Sequence, residues 1–522
     1  MNLDQFFHYW RITENPFRGE EARHDAVFAR MMGLGGAAPV GDGVADPGRS
    51  SPATHSDFAK ILGSLEHLST AVVFGEKGSG KTAIRLQITE HVESHNRASP
   101  DRKIFLIPYD DLNAFLDRLH ERVGTKDPAD SLARIRLVDH VDAMLSIAVG
   151  RLCGLILGEG NALADAEARR LARRMPRDVR RDLVLLHAVY ADGLEAAERT
   201  ARLRRALRLA RPRRDYVTLA LTAVGWIPAA LVLWAGGFLG DAQPNPDFEP
   251  FLRWVIFALG MLWILPAVKW SAWDRLAARR IGRRLRRQIR ISDRTDNSYG
   301  EALRVLARGD WPVGRLPLTD TDEPRYEMLA RLTRVVRALG YVGVMVLVDR
   351  IDEPTLVSGD PGRMKSVIWP MLNNKFLQQE GFALKMLLPI ELRYELFRES
   401  SAFFQEARLD KQNLVERLSW TGSTLYDLCE ARLNACREDG AEPMSLLAMF
   451  ETDVVGKDLV DALDQMHQPR DAFKFLYQCI AEHCSNVTAE EEQWRVPRLV
   501  LEIVRKQQSE RVQALYRGIR PA

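Results

Sequence analysis

An apolar run that ends in a glycine-rich loop constrains this 522-residue sequence more than any other feature. Thr70-Ala71-Val72-Val73-Phe74 reads as a buried strand and passes directly into Gly75-Glu76-Lys77-Gly78-Ser79-Gly80-Lys81-Thr82. The loop has the spacing G-x-x-x-x-G-K-[ST], and Ala83 to His91 behind it reads as a helix. Glycines so placed let the backbone curl until successive N–H groups point inward, which suits a phosphate. Lys81 supplies a cation for β- and γ-phosphates, and the Thr82 hydroxyl is a ligand for Mg2+. The helix starting at Lys81 turns its positive dipole end to the same anion. Strand, loop and helix in this order predict a site for ATP, or in second place GTP, bound as the Mg2+ complex. No base-reading N-K-x-D motif is evident, which favours ATP.

Such a site needs a carboxylate at the end of a second buried strand. Val344-Met345-Val346-Leu347-Val348-Asp349 supplies one and continues as Arg350-Ile351-Asp352-Glu353-Pro354. An unbroken apolar run suits a parallel strand covered on both faces. Asp349 is expected to hold a metal-bound water, and Asp352 or Glu353 to orient the attacking water or accept its proton. Lys103 to Ile107 reads as a further strand, and residues 110–210 read as helical.

Composition describes a globular chain, 46% apolar and 27% charged, with mean hydropathy −0.21 and net charge +3. Five cysteines, an odd number without C-x-x-C spacing, exclude a zinc knuckle and argue against a disulfide framework. They read as small buried hydrophobes in a reducing cytoplasm. The N-terminus lacks the pattern of a signal peptide. Residues 33–54 are rich in Gly, Ala, Pro, Asp and Ser and predict a flexible loop.

Two apolar runs, about 216–240 and 251–268, are read as a transmembrane hairpin in preference to two core helices. Arginines crowd residues 199–214 before them and 275–294 after them, while the short linker carries only acidic charge. The positive-inside rule then puts both flanks, and the nucleotide site, in the cytoplasm. Anionic lipid headgroups are the favoured partners of the arginine runs over nucleic acid phosphates.

The paired motifs resemble the P-loop NTPases of the additional-strand class, which includes AAA+ and STAND ATPases. The D-x-x-D-E form at Asp349 to Glu353 is similar to the second acidic motif of STAND and origin-recognition-type ATPases. A membrane hairpin between the two motifs resembles the KAP family, and Asn15-Pro16-Phe17 resembles the start of ExeA-like ATPases. The resemblance covers about 65–89 and 340–480. It implies that Phe382 to Leu388 is a central strand followed by a polar sensor, with Glu391 or Arg393 as candidates. It also implies a last strand at Leu414 to Leu418, a helix over Ser423 to Arg437, and a lid helix opened by Gln468-Pro469-Arg470-Asp471. Arg470 there takes the position of a γ-phosphate-sensing arginine, or else is a surface arginine. Arg393, Arg398 and Arg417 are candidates for an arginine finger acting between subunits.

The expected fold is therefore α/β: a P-loop NTPase with a mostly parallel sheet, a helical transmembrane insertion and a C-terminal helical lid. The domains expected are an N-terminal segment and loop (1–56), the first part of the nucleotide domain (57–119) and the helical insertion (120–300). The second part of the nucleotide domain (301–419) and the lid (420–522) follow. The expected function is a membrane-anchored ATPase of a bacterial inner membrane. It serves as a conformational switch in signalling or assembly, with a role in anti-phage defence implied by the resemblance. A homo-oligomer or a partner effector protein is expected. The alternatives are a nucleic-acid-associated ATPase and an energising ATPase of a secretion or cell-envelope machine.

Overall fold

The computed structural model describes the chain apart from residues 19–20, 33–53, 160–161, 194, 211–215, 217–219, 221–222, 236–248, 269–272, 307–310, 312–314, 489–491 and 517–522. The expected flexible loop at 33–54 and much of the first apolar run lie outside the described residues. Two compact units emerge: Met1–Leu112 with Gly343–Ala522, and Asn113–Val342.

The first unit is built on a five-stranded sheet. Its strands are β1 (Ala71–Gly75), β2 (Lys103–Tyr109), β3 (Tyr341–Val348), β4 (Phe382–Pro389) and β5 (Asn413–Val415). Their order is β2-β3-β4-β1-β5, with β1 parallel to β4 and β5, and β3 parallel to β4. In register, Val73 faces Leu387 and Val348 faces Met386. All of β1 and all of β4 are buried, as suits strands covered on both faces; β1 is apolar throughout, and β4 is apolar except for Lys385. β4 thus stands in the centre, between the strand that carries the glycine loop and the strand that ends at Asp349. The helix Lys81–Ala98 covers one face through Ile84, Ile88 and Val92, spaced four apart, which pack with Val73, Met345 and Leu387.

The C-terminal helices form a second core within this unit, and the N-terminal segment is part of it. Phe6, Phe7, Ile12, Phe17 and Val27 pack with Leu425, Leu433, Met449, Phe475 and Val504. Arg432, nearly buried, donates from Nε to the Pro16 carbonyl at 2.8 Å and from Nη1 to Asp25 Oδ2 at 2.6 Å. Asn15-Pro16-Phe17 is therefore a docking turn for the C-terminal helices. Cys429, Cys436, Cys479 and Cys484 are buried in the same core as free thiols. That is the packing role their sequence context suggests.

The second unit is helical. Its central helix, Leu137–Leu157, is the one helix among the described residues that combines the length and apolarity of a membrane span, and it is mostly buried inside the unit. Its buried face explains that apolarity. Polar residues on it are paired: Asp142 accepts from Tyr190 Oη at 3.1 Å and from Arg325 Nη2 at 3.3 Å, and Asp139 accepts from Arg290 Nε at 2.9 Å.

The two expected spans are represented by the helices Ile227–Ala235 and Glu249–Val268, which pack against each other. Within the second, Arg253–Leu265 is an apolar stretch among the described residues. Leu231, Trp234, Phe251, Trp254, Phe257 and Leu262 on these helices, and Trp226 just before the first, are all at least half exposed. Next in the chain, the helix Asp274–Gln288 lays Ala278, Gly282 and Leu285 on the helix Asp296–Arg304. A Cβ at Gly282 would stand 2.6 Å from the Asp296 carbonyl, so only glycine permits this approach. The opposite face presents Arg279, Arg280, Arg283, Arg284 and Arg287 to solvent.

Candidate nucleotide site

The chemistry expected from the sequence gathers at the C-terminal ends of the strands. β1 ends at Gly75, β3 runs into Asp349, β4 leads to Glu391 and β2 is followed by Asp110. Between β1 and its helix, Gly78 and Gly80 both have φ of 93°, a region that costs a side-chain-bearing residue. The loop is also crowded. A Cβ on Gly75 would lie 2.5 Å from Ser79 Oγ, and one on Gly78 would lie 2.9 Å from two side-chain carbons of Arg470. Ser79 Oγ donates to the Glu76 carbonyl at 2.8 Å and holds the curl.

Lys81 folds back over this loop, its Nζ donating to the carbonyls of Gly75 at 2.8 Å and Glu76 at 2.9 Å. Burial holds its ammonium below the ordinary lysine range, while the carboxylates of Asp352, Asp349, Glu391 and Glu76 act in the other direction. Thr82 Oγ1 donates to Asp349 Oδ2 at 3.1 Å. Asp349 is 1% exposed, and burial pushes its carboxyl above the usual range against the pull of Arg85, Thr82, Lys81 and the Arg350 backbone N–H.

Asp352 and Glu353 are set apart by the turn after β3. Arg350 adopts a left-handed backbone, φ 61°, and its guanidinium pairs with Glu353. Asp352 exerts the largest of the carboxylate effects on Lys81. Arg470, the second residue of the helix Pro469–Asn486, lies against Gly78. Of the other arginines considered, Arg393 pairs with Glu416 at 2.9 Å and sits over the Phe397 ring. Arg398 pairs with Glu395 at 2.9 Å, and Arg417 with Glu76 of the loop at 2.6 Å. Glu391 is the sensor-position residue that acts on Lys81.

The sequence reading missed Arg85 and Asp110, and it did not foresee a cavity beside the loop. Arg85, one turn after Lys81 on the same helix face, places Nη1 2.7 Å from Asp110 Oδ2 and Nε 3.3 Å from Asp349 Oδ2. Its four-residue spacing from Lys81 and the strand-end position of Asp110 were the available signals. The cavity, of about 300 Å³, is lined by Glu76, Ser79, Arg417, Leu418 and Gln468, and by Ser419, Trp420 and His467, which the sequence had not singled out. Trp420 Nε1 donates to the Ser79 carbonyl at 2.8 Å, and the His55 ring meets the indole edge-on.

Among the described residues no group of three or more His, Cys, Asp or Glu side chains forms a metal cage. Thr82 and Asp349 offer one hydroxyl and one carboxylate beside a loop shaped for phosphate. That donor set fits Mg2+, which keeps waters and takes phosphate oxygens to complete its octahedron. No protein-family model, curated protein or solved structure matches the chain.

Proposed function

We propose that the chain is an additional-strand-class P-loop ATPase that binds Mg-ATP at Gly75–Thr82 and hydrolyses its β–γ anhydride. The observation that carries this reading is the meeting of Thr82 with Asp349, which a parallel sheet with one intervening strand brings to the mouth of a glycine loop. The loop N–H groups and Lys81 receive the phosphates. Mg2+, when bound, neutralises the β- and γ-oxygens. Asp352 orients the attacking water or takes its proton, with Glu353 as the alternative, and Arg470 senses the γ-phosphate from the lid helix.

The test is direct. Lys81→Ala is expected to remove most binding of a fluorescent ATP analogue and all phosphate release, because the phosphates lose their cation. Unchanged binding and turnover would reject the site.

We further propose that hydrolysis drives a conformational switch anchored at a bacterial inner membrane, with the ATPase in the cytoplasm. The exposed tryptophans, phenylalanines and leucines of the 227–235 and 249–268 helices support a hairpin that meets lipid. The arginine face of Asp274–Gln288 supports binding of anionic headgroups. A homo-oligomer or effector partner, and a role in anti-phage defence, belong to the same reading. That arginine face also supports the alternative of a nucleic-acid-associated ATPase, and strong DNA binding with a steep salt slope would favour it. Co-purification with an envelope complex would favour the cell-envelope alternative.

A further inference from the structure

Asp349 is buried, yet it has a cationic neighbour that the nucleotide-site reading leaves without a role. Arg85 is itself almost buried, and its guanidinium lies between two carboxylates. Nε is 3.3 Å from Asp349 Oδ2, the same oxygen that accepts from Thr82. Nη1 is 2.7 Å from Asp110 Oδ2, which also accepts from Arg23 Nη2 at 3.2 Å. Asp110 is the more exposed of the two carboxylates.

We propose that Arg85 is a resident counter-charge of the divalent-cation position, neutralising Asp349 when no cation is there and lowering the affinity of Thr82 and Asp349 for one. This inference rests on the proposed nucleotide site and adds a regulator to it. A guanidinium a few ångströms from a carboxylate oxygen competes for that oxygen with any cation, and burial strengthens the competition. Asp110 gives the guanidinium a second place to rest, so a cation can take Asp349 without leaving Arg85 unpaired. Arg23 draws on the same Asp110 oxygen. It belongs to the N-terminal segment, which Asp25 and Phe17 fasten to the C-terminal helical core. The strength of cation binding is thereby linked to where that segment sits.

The experiment is a Mn2+ titration of the full chain by electron paramagnetic resonance, with and without ADP, at pH 8. ADP binding in EDTA is measured alongside. Arg85→Gln is expected to tighten Mn2+ binding about tenfold or more, and Arg85→Lys to keep the weak wild-type affinity. Asp110→Asn, which leaves Arg85 wholly on Asp349, is expected to weaken Mn2+ binding. In the double variant the Asp110→Asn effect should vanish, because both act through one pair. Unchanged or weaker Mn2+ binding in Arg85→Gln, with ADP still bound in EDTA, overturns the counter-charge and leaves the nucleotide site standing. Failure of the wild-type chain to bind ADP at all overturns both.

Discussion

The Thr82 hydroxyl donates to Asp349 Oδ2 at 3.1 Å although 267 positions separate them in sequence. The whole helical second unit is inserted between the two residues. The contact survives that insertion because each residue sits at the end of a rigid element: Thr82 lies in the first turn of the helix after β1, and Asp349 directly follows β3. Both strands are held through the shared neighbour β4.

The turn after β3 separates the two candidate water-activating carboxylates. Asp352 acts on Lys81, whereas Glu353 is held by Arg350. Asp352→Asn is therefore expected to keep ATP binding and lower phosphate release about a hundredfold. Glu353→Gln is expected to lower it less than Asp352→Asn. Single-turnover assays beside equilibrium binding check the order of the two.

Gly78 combines φ of 93° with the Arg470 side chain against its Cα. Gly78→Ala is expected to cost about 1–2 kcal/mol of stability through the left-handed backbone and to weaken nucleotide binding by disturbing the loop. Gly124→Ala is the control. It also has a positive φ, 68°, but nothing lies near the added carbon. Urea unfolding should fall for both variants, and nucleotide affinity only for Gly78→Ala.

Lys385 is buried in the central strand, where Nζ donates to the Ser69 carbonyl at 2.6 Å. Burial holds its ammonium down to about 8. The unfolded chain keeps an ordinary lysine near pH 10.4, so between about pH 8 and that value it binds more protons than the folded one. Stability tied to this group accordingly rises with pH through that window, and below about pH 8 the burial cost is constant. Denaturant midpoints of wild type minus Lys385→Met should show this rise, and a flat difference would reject it.

The exposed apolar hairpin and the adjoining arginine helix are expected to act together at a lipid surface. The full chain should sediment with membranes and resist high-salt extraction without detergent. Changing Arg280, Arg283, Arg284 and Arg287 to Glu should weaken binding to phosphatidylglycerol vesicles and leave the already weaker association with phosphatidylcholine vesicles little changed. Release of the wild-type chain by salt alone would rule out an inserted hairpin.

β4 and β5 came through the resemblance, their runs being interrupted by Lys385 and by Glu416 and Arg417, whereas β1, β2 and β3 were legible in the sequence within a few residues as short apolar runs. The central place of Phe382–Pro389 was not. It followed from resemblance, since nothing local to a strand states its neighbours. The apolar helix Leu137–Leu157 shows the opposite limit: its composition matches a membrane span, yet its side chains are buried by the other helices of its own unit.

The strand–loop–helix around Lys81 and the acidic end of β3 were determined by the sequence alone, because both depend on local backbone geometry and burial. Tertiary structure decided which distant groups meet there. It set Arg85 between Asp349 and Asp110, paired Glu353 with Arg350, brought the charge of Asp352 to bear on Lys81, and laid Arg470 on Gly78. It also joined the N-terminal segment to the C-terminal helices through the buried Arg432–Asp25 pair. Such meetings arise from packing between elements far apart in the chain, and no local pattern encodes them.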